Sequence, residues 1–207
     1  MHEKLQNIIL HARSIFMRCG IRSVTMDDVS REMGISKKTL YQFVKDKTDL
    51  VNQTMKVEID CDQQKISEIT LKKLNAIDEI FEITQLVSDR IKHMHPSILF
   101  DIQKYYPEAW DIISKHRRDF IIKTIKQNIV RGQEQGLYRK EINSTIVARL
   151  FSSTVDVLSD IDFFADPNIT QAMVYNENLN YHLHSITNST GKAYLENKLS
   201  LLNTPQL

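Results

Sequence analysis

Lys38 and Gln42 stand four residues apart in the stretch GISKKTLYQFVKDKTDL, residues 34–50. Both side chains suit the edges of DNA bases. A lysine ammonium donates to guanine's acceptors, and a glutamine amide matches adenine's acceptor–donor pair. Thr39 lies between them and offers a methyl to thymine or a hydroxyl to a phosphate. Tyr41, Lys37, Thr25 and Lys47 suit the sugar–phosphate backbone. Thr25 and Lys47 also fall where helices should begin, and there free N–H groups and the helix dipole favour an anion.

Such chemistry needs a rigid element that holds these side chains outward. Thr25 with Asp28 three residues on reads as a capping box opening a short helix whose buried side is Met26, Val29 and Met33. Gly34 can take a positive φ and turn the chain, Ile35 plugs the turn, and Ser36 caps the next helix. In that helix Leu40, Phe43 and Val44 form an apolar stripe. At about 100° per residue, Lys38, Gln42 and Lys45 point away from it, with Tyr41 on the flank. Asp46 caps a further helix that runs past Cys61. Ahead of this unit, residues 3–19 read as a helix with Ile8, Ala12, Ile15, Phe16 and Cys19 on one stripe and Gly20 at its end. Two short helices, a tight glycine turn and an outer basic side make a helix-turn-helix.

Residues 8–50 resemble the DNA-binding region of the TetR family of transcriptional regulators, through ILHARSIFMRCGIRSVTMDDVSREMGISKKTLYQFVKDKTDLV. The segment VRGQEQGLYRKEIN resembles the family's C-terminal body more loosely. Within the family a glycine often stands at the place of Lys38 and a second aromatic at that of Val44, so this chain carries an additional cation on its outer face. The resemblance implies a homodimer, an inverted-repeat operator on double-stranded DNA and an effector-binding C-terminal domain. The expected fold is all-α, with a helix-turn-helix domain over residues 1–50 and a helical ligand-binding and dimerisation domain over 51–207. The expected function is that of a one-component regulator, a repressor released by a small apolar or aromatic effector. The alternative is a helical protein-interaction module that no longer binds DNA.

Bulk properties agree with this reading. The 207 residues hold only 5 Gly and 4 Pro, as helices prefer. Net charge is +1, yet residues 1–50 hold nine Lys/Arg against six Asp/Glu, and the remainder 18 against 20. A basic N-terminal part on an acidic body suits an anionic partner for the first. The two cysteines make no disulfide framework, and with no apolar run of membrane length a cytoplasmic location is expected. No cofactor or metal is expected: His93 with His95, and His182 with His184, sit two apart and face different sides of a helix, so neither pair makes a metal site. No phosphate-cradling glycine loop or nucleophile–base spacing occurs, so no catalysis is expected.

Helices are expected over Ile77–Ile91, from Phe120 to Gln135 with Gly136 as the stop, from about 144 to 160, from about 169 to 187 and around Ala193–Leu202, with FFADPN as a turn. Pro96 and Pro107 break the middle, where Phe100, Tyr105, Trp110, His116 and Phe120 are candidates to line an effector pocket. In the TetR family the two long late helices pair with their two-fold mates. On that basis Ser152, Ser153, Val155, Leu179, Leu183 and Ile186 are candidates for the dimer seam.

Overall fold

The computed structural model describes residues 2–160, 162–166 and 168–203, with the backbone alone at His2, Val155 and 201–203. Helix α1 (His2–Cys19) buries Ile8, Ala12, Ile15 and Phe16. Its stripe ends before Cys19, which is exposed, because the chain turns at Gly20 and Ile21 enters the core instead. Helix α2 (Met26–Glu32) opens on the expected capping box: the Thr25 hydroxyl accepts from the Asp28 N–H at 3.1 Å, and the Asp28 carboxylate accepts from the Thr25 N–H at 2.9 Å. Gly34 turns the chain at φ +63° with open space where a Cβ would stand, so the backbone conformation alone demands glycine.

Helix α3 (Lys37–Leu40) is one turn long, capped by the Ser36 hydroxyl, which accepts from Thr39 N–H at 3.0 Å. After Leu40 the chain tightens, with Gln42 N–H donating to the carbonyl of Thr39 only three residues back. The helix anticipated through Lys45 is therefore a helical turn followed by a tight bend. Asp46 then caps α4 (Lys47–Leu71), accepting from Asp49 N–H at 2.8 Å.

The remaining helices are α5 (Ala76–Lys92), α6 (Ile98–Tyr105), α7 (Pro107–His116), α8 (Ile122–Glu134), α9 (Ser144–Ser152), α10 (Thr154–Leu158), α11 (Gln171–Ile186) and α12 (Ser189–Asn203). A π-helical turn, Arg117–Ile121, joins α7 to α8, so the helix expected from Phe120 starts further upstream. The single helix expected over 144–160 is broken into α9 and α10. The hydroxyls of Ser152, Ser153 and Thr154 each donate to the carbonyl three residues back, at 3.0, 2.6 and 2.9 Å. Three successive bonds of this kind compete with the helical ladder and break it. Of the FFADPN turn, Asp162–Phe164 forms a short 3₁₀ turn, and Pro167 lies outside the described residues. Among the described residues the only β pairing is one antiparallel bridge, Tyr138 to Thr187.

Two cores form. The first joins α1, α2 and α3 to the start of α4 and to α6 and α7, through Phe16, Ile21, Leu40, Leu50, Val51, Ile98, Ile102 and Ala109. Residue 50 thus falls inside a continuous helix, and the first core reaches well beyond it. The second joins α5, α8, α9, α11 and α12 around Ile77, Ile80, Ile129, Tyr138, Leu183 and Ile186. Each fully buried side chain of this size contributes about 1.5–3 kcal/mol. Tyr138 is seated against α8 because Gly132 has no side chain: a Cβ there would stand 2.0 Å from the ring. Its hydroxyl donates to Asn128, which donates to the Ala76 carbonyl and to Glu79, and Arg131 pairs with Glu79. A smaller cluster, Ile66, Ile69 and Ile83, lies on α4 and α5.

Candidate nucleic-acid interface and ligand cavity

Leu40 is fully buried, and so is Val44, while Phe43 packs against the same core. That anchor turns Ser36, Lys37, Lys38, Tyr41 and Gln42 outward, and all five are exposed. Thr39 is half-buried, and its hydroxyl meets that of Ser36 at 2.8 Å. Lys38 has no hydrogen-bond or ion-pair partner among the described residues. Its neighbour Lys37 is paired with Asp27 at 3.0 Å, on the exposed surface where such a pair exchanges readily for a phosphate. Thr25 is committed to its cap: the hydroxyl donates to Asp28 at 2.6 Å, and these bonds hold the Asp28 carboxyl below its ordinary range.

Lys47 departs from the expectation of a free backbone contact. It is partly buried and donates to the carbonyl of Arg22 at 3.3 Å, and burial lowers its pKa. Arg22 itself stacks its guanidinium on the Tyr105 ring at 4.5 Å and donates to the Tyr105 hydroxyl at 3.1 Å. Its backbone N–H donates to the buried carboxylate of Asp101 at 3.4 Å. Thus α6 clamps the turn that precedes α2.

Next to these residues on α6, Ile98, Leu99 and Ile102 line a cavity of about 190 Å³ between the cores. Its walls are Ile59, Ile66, Val87, Ile91, Met94, Ile98, Leu99, Ile102, Ile113, Ile121, Phe151 and Leu158, with Met17 and Met55 from the first core. A polar end carries Glu58, Asp62, Arg90, His116, Arg117 and Tyr175. Arg90 pairs with Asp62 and lies 3.8 Å from Glu58, which also holds Arg13. Arg117 pairs with Asp156 at 2.7 Å. Burial, with the neighbouring Arg90 charge, pushes His116 down to about 4.

Of the five residues expected to line a pocket, only His116 lines this cavity. Tyr105 belongs to the Arg22 clamp, and Trp110 packs against the first core. Phe120 stacks on His116 at 5.3 Å and packs on the small α4–α5 cluster. Phe100 edges Tyr105 and lines a second, wider depression beside Pro96 and Gln171. The Pro-broken segment is rich in aromatics, but α6 is amphipathic and turns its isoleucines, not its rings, to the cavity. Glu58, Asp62, Arg90 and Tyr175 escaped sequence reasoning. Their signal was a charge on an apolar stripe: Arg90 stands among Val87, Ile91 and Met94, and Asp62 four residues before Ile66.

The candidate seam residues divide similarly. Leu183 and Ile186 are buried in the second core, with Leu179 packed against it, and Ser152 lines the cavity. Ser153 is exposed, and the side chain of Val155 lies outside the described residues. The α11 candidates taken from the family resemblance therefore fall on its inward stripe. The outward stripes carry Ile146 and Leu150 on α9, 56% and 67% exposed, and Met173 and Tyr181 on α11, 56% and 69% exposed. Among the described residues no group of three or more His, Cys, Asp or Glu could hold a metal ion, and none of the helices is long and apolar enough to cross a membrane.

Residues 8–54 match the family model described as "Bacterial regulatory proteins, tetR family". Over these residues the chain is similar to the TetR family. Its similarity extends to the transcriptional repressor KstR2 of Mycobacterium tuberculosis, 22% identical over 150 residues, which cover 69% of this chain and 73% of that one. Its fold is similar to that of a transcriptional regulator from Saccharomonospora viridis in complex with choline, with a TM-score of 0.70 and 16% identity over 91% of this chain and 100% of that one. It is also similar to SmeT in its triclosan complex, with a TM-score of 0.67 and 14% identity over 90% and 93%. The chain thus pairs an N-terminal helix-turn-helix, similar to that of the TetR family, with a helical body whose fold these regulators share.

Proposed function

We propose that this regulator is a repressor that binds an inverted-repeat operator as a homodimer in the cytoplasm and leaves it when a small molecule fills the cavity between the two cores. The observation that carries the reading is the double role of α6. Ile98, Leu99 and Ile102 line the cavity, and Asp101 and Tyr105, adjoining them on the same side of the helix, hold the DNA-facing unit. A ligand that shifts α6 changes the angle of α2 and α3, and so favours one spacing of the two reading heads over the other. Residues 1–50 act as the DNA-binding part and 51–207 as the ligand-binding and dimerising part. The repressor function of KstR2 and the choline and triclosan in related folds support a ligand-responsive repressor.

The dimer face in this reading is the exposed apolar pair on α9, Ile146 and Leu150, with Met173 and Tyr181 on α11. A two-fold contact there sets two reading heads for two half-sites. Base contacts fall to Lys38 and Gln42, and backbone contacts to Lys37, Tyr41, Ser36 and Thr39, with Thr25 and Lys47 holding the frame. Selection of random-sequence duplexes on the full chain tests this reading. Enrichment of an inverted repeat, with both enrichment and dimer lost in Leu150→Lys, is expected. A folded protein that enriches no duplex would overturn the reading in favour of a protein-interaction module.

A further inference from the structure

The chemistry of the cavity says which molecules it can hold. Its polar end is balanced in charge: Arg13, Arg90 and Arg117 meet Glu58, Asp62 and Asp156. An added carboxylate would lie against Glu58 and Asp62 while every nearby guanidinium is already engaged. An added ammonium would lie against Arg90 and Arg117. Either charge would be desolvated without a free partner, at substantial cost. What remains open is neutral. Gln63 donates its amide N–H to His116 Nδ1 at 3.1 Å, which leaves the proton of the neutral ring on Nε2. His116 and Tyr175 both line the cavity, and neither that N–H nor the Tyr175 hydroxyl has a hydrogen-bond partner among the described residues. Two unspent donors beside a balanced set of charges call for a neutral oxygen acceptor.

The walls define the other end of the molecule. Apart from Ser152 and Thr154, whose hydroxyls donate to the carbonyls of Arg149 and Phe151, they are isoleucine, leucine, valine and methionine, and the one phenylalanine, Phe151, already has a ring face occupied by His182 at 4.2 Å. Aromatic stacking therefore has little to offer here, whereas aliphatic contact is available on all sides. In size, a dry cavity of about 150 Å³ holds benzene. A space of about 190 Å³ thus holds roughly eight carbons.

We propose that the cavity takes a neutral molecule with an aliphatic body of roughly eight carbons and a single carbonyl or hydroxyl oxygen, received by Tyr175 and His116. The proposal rests on the reading of this cavity as the effector site. Calorimetric titration of the full chain with four probes of one chain length tests it: 2-octanone, 1-octanol, octanoate and octyltrimethylammonium. The ketone and the alcohol should bind saturably and raise the unfolding midpoint, with the two ions at least tenfold weaker. Tyr175→Phe should weaken the ketone by about fivefold, the loss of one neutral hydrogen bond. Val87→Phe, or Ile59→Phe should the first not fold, fills the cavity and should abolish binding. Octanoate or the ammonium binding as tightly as the ketone, and blocked by the same filling, would overturn the neutral-oxygen assignment and leave the effector site standing. Unchanged ketone binding in Tyr175→Phe would remove that residue from the site. Binding that survives cavity filling, or no binding by any probe, would overturn both the proposal and the reading beneath it.

Discussion

The reading head and the cavity use cations in opposite ways. In α3 an apolar anchor is buried and the lysines stand in water, where Lys38 needs no partner. Around the cavity the arginines are turned inward, and each is matched to a carboxylate. The difference follows from solvation. A surface charge is screened and adds little to stability, so α3 can spend its lysines on a ligand. A charge within the body must be compensated where it stands, so Arg90 is committed to Asp62 and Glu58 before any ligand arrives. One region is free to bind because it is exposed, and the other is selective because it is already balanced.

Removing a cation should therefore cost very different amounts in the two places. Arg90→Met leaves Asp62 and Glu58 short of a partner and should lower stability by about 3–5 kcal/mol in urea unfolding. A loss below about 1 kcal/mol would mean the cavity's charges are as well solvated as those of α3.

The same contrast predicts an acid response from the body. His116 and His182 are both held near 4 against an ordinary 6.5, in each case chiefly by burial. Between those values the unfolded chain binds more protons than the native one, so stability is complete above pH 6.5 and falls as the pH drops toward 4. The loss through the well-buried His182 should be about 3 kcal/mol, with a smaller part from His116, which solvent screens more. His182→Phe should flatten the slope, and an unchanged slope would place that histidine in water.

Gly132→Ala drives a methyl into the Tyr138 ring and should cost about 1–3 kcal/mol by overpacking. A stability equal to that of the parent would mean the ring can move aside. Lys38→Ala completes the comparison, with a change in unfolding free energy within about 0.5 kcal/mol. A larger loss would mean that Lys38 has a structural partner.

Legibility in the sequence follows the same division. The head is built from contacts close in the chain: Thr25 with Asp28, Ser36 with Thr39, Asp46 with Asp49. Caps and a turn glycine are local signals, so the order of α1 to α4 and the outward side of α3 could be read directly. The breaks in the late helix came from three adjacent hydroxyls, a local effect that the strong apolar period concealed. The cavity is assembled from α1, α4 to α11 and the π-helical turn, and no spacing encodes which stripes will meet. On α11 both stripes carry apolar residues: Leu183 and Ile186 go inward, while Met173 and Tyr181 stay out. Periodicity finds such stripes but cannot assign one to the core and the other to a partner.

Fluorescence anisotropy with the duplex that the selection enriches, comparing the parent chain with Lys38→Ala/Gln42→Ala, tests the central claim most directly. The account predicts binding that weakens steeply with salt and falls at least tenfold in the double variant, while the helical circular dichroism and unfolding midpoint stay unchanged. A double variant that stays folded and binds the same duplex as tightly as the parent would contradict it.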